Sequence, residues 1–196
     1  MESNHGAPLG APMPADYRRG YRQWQPVNGL AVAASVMVGL VALLSVLEAI
    51  ADVTGQDRQE LLFLMLYVVG RLAAAVVFIV WLWRVRANAE LVAGAQSQRL
   101  GRGWAIGCWF CPVVNLWFPY RYVVDVWRAS RPARGADGLV LAWWLTWLAG
   151  NLIGTFGAND PGHTVTIVSS ALEVAAAVPA VLIIRKISEW QSVLRA

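Results

Sequence analysis

The chain has 196 residues, of which 58% are hydrophobic and only 14% are charged, whereas ordinary soluble domains are about 45–50% apolar and about 25% charged. This composition excludes a soluble globular protein and indicates that most of the chain lies in lipid. The net charge of +4 indicates membrane orientation rather than nucleic-acid binding, because no basic stripe occurs on a soluble segment.

The N-terminal segment, residues 1–29, is polar and rich in proline and glycine. Such a segment cannot bury enough apolar surface to fold, so we expect a disordered cytoplasmic tail. The first apolar run begins only near Leu30 and is too long for a signal peptide, so we expect it to be retained as a transmembrane helix.

Four apolar runs are long enough to cross about 30 Å of hydrocarbon, which takes about 20 helical residues. They cover residues 30–53, 61–83, 139–156 and 164–184. The predicted fold is all-α: a polytopic integral membrane protein with a four-helix membrane domain over residues 30–187. Residues 188–196 are expected to form a cytoplasmic C-terminal tail.

A fifth apolar segment, residues 104–131, lies between the second and third runs and contains Pro112, Asn115 and Pro119. Four spans with the N-terminus inside place nearly all arginines on one side of the membrane, whereas five spans divide them almost evenly. Because cytoplasmic loops carry the excess of positive charge, four spans are favoured, with both termini in the cytoplasm.

The part of this segment before Pro119 is too short to cross the membrane, since 15 helical residues reach only about 22 Å, and Pro112 interrupts it further. We expect a re-entrant hairpin with Asn115 near its turn, although a true fifth span stays open. After Pro119, Arg121 and Arg128 share one face of an amphipathic helix, so an interfacial helix is predicted. Tryptophans are expected at headgroup depth, namely Trp104, Trp109, Trp117 and Trp127.

Three sequence groups resemble the bacterial membrane family called domain of unknown function 4328, which is common in actinobacteria. They cover the end of the second run, a Trp-Phe-x-Pro group and an Asn-Leu-x-x-Pro group. The positions that carry the resemblance are Trp81, Arg84 and Asn88, then Trp109, Phe110 and Pro112, then Asn115, Leu116 and Pro119. The resemblance implies a polytopic bacterial membrane protein and supplies no activity.

Ionisable residues inside the apolar runs indicate a possible site, because each costs about 2.5–3.5 kcal/mol to insert. Counted along their helices, Arg71 and Glu173 both lie about 14–15 Å deep, and Glu48 and Asn151 fall in the same half of the bilayer. One interpretation is a polar cavity for a proton, an ion or a small polar ligand. The alternative is a buried ion pair that only fixes helix register.

Small residues and cysteines indicate two further features, a close helix contact and a possible redox pair. Gly150 and Gly154 have the spacing that lets another helix approach closely, within the chain or in a second subunit. Cys108 and Cys111 are either a redox pair or two small apolar residues. The chain has too few suitable ligands for a zinc site, and no cofactor or metal is expected.

Two functions are compatible with the sequence, and neither is enzymatic, since no catalytic motif is present. The first is a scaffold whose arginine-rich cytoplasmic face and tryptophan-rich hairpin engage membrane lipids, including anionic headgroups, or a protein partner or second copy. The second is a small transporter or channel that uses the polar residues at the midplane. No nucleic-acid partner is expected, and the predicted location is a bacterial cell membrane.

Overall fold

The computed structural model describes residues 24–55, 57–111, 113–133, 135–157 and 163–195. All regular structure in these ranges is helical. The α-helices are α1 Asn28–Val53, α2 Asp57–Ala93, α3 Trp104–Gly107, α4 Phe118–Ser130, α5 Gly138–Phe156 and α6 Thr164–Arg195, and short 3-10 helices cover Ala95–Ser97 and Val114–Leu116. The predicted tail up to residue 23, and Pro112, lie outside the described residues.

Four helices, α1, α2, α5 and α6, are long and apolar enough to cross a membrane. This confirms the predicted all-α class and the number of membrane-capable helices. Two of them extend well past their apolar runs: α2 continues to Ala93 and α6 to Arg195. Gly94 then ends α2 with a φ of 80°, a conformation that favours glycine because it has no Cβ.

The four long helices form an open row rather than a closed bundle. Extensive interfaces join α1 to α2, α1 to α6, and α5 to α6, whereas α2 and α5 form no comparable interface. A cleft therefore remains between α2 and α5. We call the end of the row that holds the α1–α2 and α5–α6 connections the short-loop end, and the opposite end, which holds residues 94–137, the hairpin end.

Helix α4 packs inside the hairpin end, in an environment that differs from the predicted membrane interface. Its side chains Val123, Val124, Val126 and Trp127 are all buried in the protein core. That core also includes residues of α2, α5 and α6. An amphipathic pattern shows that one face of a helix packs against an apolar surface, but it does not show whether that surface is lipid or protein. The sequence therefore predicted the helix and not its surroundings.

Residues 104–111 and 113–117, which we call the hairpin, contain two short helical turns and lead from α2 into α4, and Pro119 lies in the first turn of α4. The re-entrant position of this segment in the membrane stays a prediction. At its tip Phe110 is 78% exposed and Val113 is 63% exposed. Trp109 points the other way, into the protein, where its ring centroid lies 5.8 Å from that of Trp147. Trp109 and Trp127 thus pack within the fold, whereas both were expected at headgroup depth.

Candidate functional site

Arg71 joins three of the four membrane-capable helices. From α2, its Nη1 donates to Glu173 Oε2 of α6 at 2.9 Å, and its Nη2 donates to Asn151 Oδ1 of α5 at 2.6 Å. Nη1 also donates to the hydroxyl of Tyr67, one turn earlier on α2. Asn151 in turn donates from Nδ2 to the Trp147 carbonyl oxygen at 2.7 Å. The guanidinium therefore bridges the cleft between α2 and α5.

Glu48 of α1 lies near this group but is not bonded to it. Within the described part of the chain its carboxylate has no ion pair, whereas the side chains of Arg71 and Glu173 form one and remain 31% and 19% exposed. The structure thus brings Arg71, Asn151 and Glu173 into direct contact and leaves Glu48 as a separate, partly buried carboxylate.

A polar cavity of about 530 Å³ extends from Arg71 and Glu173 toward the short-loop end. Its lining residues come from all four long helices, and those with polar side chains are Ser45, Glu48, Tyr67, Arg71, Asn151, Thr155, Thr166, Ser169, Ser170 and Glu173. Ligand sites commonly have volumes of about 300–1,000 Å³. The cavity therefore has the size and chemistry to hold a small polar molecule.

A second, smaller cavity of about 150 Å³ lies on the opposite side of the same ion pair and is mostly apolar. Aromatic rings of α2, α5 and the hairpin line it: Phe78, Trp109, Trp143 and Trp147. We call these four residues the aromatic layer. The Phe78 ring lies 6.0 Å from the Trp109 ring in an edge-to-face arrangement. Arg71 and Glu173 line both cavities, so the ion pair separates a polar compartment from an apolar one.

Glycines on α5 allow α6 to approach the polar cavity closely. A Cβ atom at Gly150 would lie 3.2 Å from Leu172 Cβ, and one at Gly154 would lie 3.8 Å from Ser169 Cβ. The helix that packs against these glycines is therefore α6 of the same chain. Close packing brings Asn151 and Glu173 within reach of one guanidinium.

The motif residue Asn88 lies in a buried hydrogen-bond network at the hairpin end. Its Nδ2 donates to Gln191 Oε1 at 2.9 Å, and its Oδ1 accepts from the Gln25 backbone N at 2.8 Å. Gln191 Nε2 donates to the Val85 carbonyl oxygen and to Ser130 Oγ. Asn88 and Gln191 are both fully buried. This network fastens α2, α4, α6 and the segment before α1 to one another.

The motif residues Trp81 and Arg84 also make structural contacts at this end. Trp81 Nε1 donates to Ser188 Oγ at 3.0 Å, and Arg84 Nη1 donates to the Pro26 carbonyl oxygen at 3.2 Å. Asn115, which was expected to bond to freed backbone groups, has a buried Oδ1 without a hydrogen-bond partner among the described residues. The motif positions thus contribute chiefly to packing and anchoring.

Most arginines of the hairpin end that the structure describes take part in ion pairs. Arg86 and Arg102 both bind Glu90, Arg99 binds Asp125, and Arg128 binds Asp137. The hydrogen bond from Arg128 lowers the pKa of Asp137. These ion pairs within the protein neutralise part of the positive charge of this face.

The two cysteines have different environments. Cys108 is buried and Cys111 is exposed, and burial raises the pKa of Cys108 to about 12. At neutral pH the Cys108 sulfur is a thiol, which is the unreactive form. Within the described residues no group of three or more His, Cys, Asp or Glu side chains is placed to hold a metal ion.

Several residues of these sites were not singled out from the sequence. Tyr67 lies four positions before Arg71, and Ser169 lies four positions before Glu173, so helical spacing alone places each beside a charged residue. Gln191 carried no such signal, because it lies in a polar stretch that was predicted to be a tail.

Comparison with known proteins identifies the family of this chain. Neither the curated proteins nor the solved structures include a match to this chain. The family described as Domain of unknown function (DUF4328) matches residues 45–189, which cover the polar cavity, the hairpin and most of the hairpin-end network. The chain therefore belongs to the DUF4328 family.

Proposed function

We propose that this protein is a small transporter that accepts a polar solute into the polar cavity from the short-loop end. The observation that carries the proposal is the position of the Arg71–Glu173 pair, with a polar cavity of about 530 Å³ on one side and the aromatic layer on the other. A buried pair that only fixed helix register would need no cavity beside it.

The proposed orientation places the hairpin end in the cytoplasm. Among the described residues that flank the long helices, the short-loop end has Arg58, whereas the hairpin end has many basic residues, including Arg99, Arg121 and Lys186. The positive-inside rule then places the polar cavity on the outer side. We assign the protein to a bacterial cell membrane on the basis of the motif resemblance.

Transport would require the barrier below the ion pair to open. Helices α2 and α5 have no extensive interface of their own. Below the ion pair, Phe78 of α2 contacts Trp143 of α5 directly, with ring centroids 6.1 Å apart, and the hairpin side chain Trp109 adds contacts to Phe78 and Trp147. A movement of the hairpin away from α5 would remove the contacts made by Trp109, leaving Phe78–Trp143 as the aromatic contact across the cleft and the α1–α2, α1–α6 and α5–α6 interfaces intact. Such gating by a small element is common in membrane transport.

The experiment is uptake of labelled glycine, glycerol and methylammonium into vesicles that contain the purified protein. We expect faster uptake of at least one solute than in protein-free vesicles, and loss of that uptake with Arg71→Ala. The matched control is Leu72→Ala, the next position on α2, whose side chain is 65% exposed. A helical, monodisperse protein that accelerates none of the three would contradict the proposal.

A second candidate is the scaffold that engages lipid, and the observation that favours it is the exposed apolar hairpin tip with Phe110 and Val113. The internal ion pairs of Arg99, Arg102 and Arg128 weaken it. It predicts that anionic lipid raises the thermal stability of the full chain more than neutral lipid does, and that Phe110→Ser removes the difference.

A further inference from the structure

The charged side chains that line the polar cavity are Glu48, Arg71 and Glu173. Arg71 and Glu173 neutralise each other at 2.9 Å. Three N–H bonds of the guanidinium already go to Tyr67, Asn151 and Glu173. Arg71 is therefore poorly available to an anionic ligand, and Glu48 is the lining charge without a partner among the described residues.

The surroundings of Glu48 add further negative charge. Asp52 follows it by one helical turn on α1, and both Asp52 and Glu60 act electrostatically on its carboxylate. His163 lies 3.0 Å from Asp52 and compensates that carboxylate when protonated. Arg58 is exposed and does not belong to the cavity lining. The cavity and its opening thus have an excess of negative charge in a region of low dielectric constant.

We infer that the polar cavity takes a small organic cation, with the Glu48 carboxylate as its counter-ion. This rests on the proposed function and names the class of solute. Hydroxyl groups such as those of Thr155 and Ser169 line the same space, and hydroxyl oxygens can accept hydrogen bonds from an ammonium group. A bare metal ion fits poorly, because it needs several oxygen ligands at about 2–2.6 Å and the cavity is far wider than such a cage.

The test measures the charge preference of the cavity directly, with a cysteine at position 169 in a background carrying Cys108→Ser and Cys111→Ser. Two methanethiosulfonate reagents of similar size are compared, one bearing a trimethylammonium group and one a sulfonate. Each rate is divided by that reagent's rate with 2-mercaptoethanol. Charged clefts change association rates by about 10- to 1,000-fold, so we expect at least a tenfold preference for the cationic reagent.

The variant that tests the role of Glu48 is Glu48→Gln, which should lower the ratio toward one, with the remaining preference due to Asp52 and Glu60. Its matched control is Glu189→Gln, the same change at an exposed position near the other end of the protein, which should leave the ratio unchanged. Thr155→Cys provides a second reporter in the lining if Ser169→Cys disturbs folding.

The outcomes separate this inference from the proposed function. A ratio near one with rapid labelling by both reagents would overturn the cation assignment and leave the open cavity standing. A preference that is undiminished in Glu48→Gln would overturn the role of Glu48. No labelling of either reporter by either reagent would contradict the open cavity itself, and with it the proposed function.

Discussion

Arg71 and Glu173, 102 positions apart in the chain, form an ion pair at 2.9 Å between α2 and α6. These two helices share few other contacts. The pair therefore holds the edge helix α2 against the far side of the cleft, and Asn151 extends the same connection to α5. A single guanidinium fixes the width of the cleft at this level.

The first prediction concerns the energy of this pair. Arg71→Ala should lower stability by about 2–3 kcal/mol, because it leaves the Glu173 carboxylate uncompensated within the membrane. The double change with Glu173→Ala should be less destabilising than Arg71→Ala alone. Thermal unfolding in detergent of both single variants and the double variant measures this. If the double variant is as unstable as the sum of the singles, the two residues do not interact energetically.

The second prediction compares the two asparagines that belong to the family motif. Asn88→Ala should destabilise the protein by about 3 kcal/mol, because it removes the hydrogen bonds of Asn88 to the Gln25 backbone and takes away the donor to the fully buried Oε1 of Gln191. Asn115→Ala is the matched control and should cost much less, since its side-chain oxygen has no partner to lose among the described residues. Equal losses of thermal stability in the two variants would show that the hydrogen bonds of Asn88 at the hairpin end contribute no additional stability.

The sequence predicts some parts of this structure well because they follow from one-dimensional rules. Run length defines the membrane-capable helices, and counting residues along α2 and α6 places Arg71 and Glu173 at one depth. The surface that packs against the apolar face of α4 could not be predicted in this way, because lipid and protein are compatible with the same apolar pattern. Gln191 was also unpredictable, since its partners Asn88 and Ser130 lie 103 and 61 positions away.

The third prediction uses acid to test the contact between α4 and the start of α5. The pKa of Asp137 is lowered chiefly by the hydrogen bond from Arg128, so this contact stabilises the fold above the ordinary carboxyl pKa. The contribution is lost as the pH falls through the lowered value. Asp137→Asn should be less stable than the unchanged protein at pH 7, by no more than about 1 kcal/mol because Arg128 is half exposed.

The measurement is the difference in thermal midpoint between the two proteins from pH 7 down to about pH 3, where an ordinary aspartate is mostly protonated. The difference should stay nearly constant until the pH approaches the ordinary aspartate pKa of about 3.9 and should shrink below it. A difference that stays constant over this range would show that the negative charge of Asp137 does not cause the difference in stability.

The fourth prediction tests on which side of the membrane the hairpin begins and ends. Single cysteines replace Ser97 and Ala136, which are exposed before and after the hairpin and α4, and Thr164 at the short-loop end. Both native cysteines are changed to serine. An impermeant thiol reagent added to intact cells should label position 164 and miss 97 and 136. Labelling at 136 but not at 97 would mean that the hairpin crosses the membrane as a fifth span.

The most direct test of the closed cavity uses two positions on α6, one four residues before Glu173 and one four residues after it. Ser169 lines the polar cavity, and Ala177 lines the apolar one. Each is changed singly to cysteine in a protein carrying Cys108→Ser and Cys111→Ser. Intact cells are then treated with the trimethylammonium methanethiosulfonate reagent. We predict rapid labelling at position 169 and none at 177, because the Arg71–Glu173 pair and the aromatic layer close the cavity toward the hairpin end. Similar labelling at both positions, or labelling at 177 alone, would contradict this prediction.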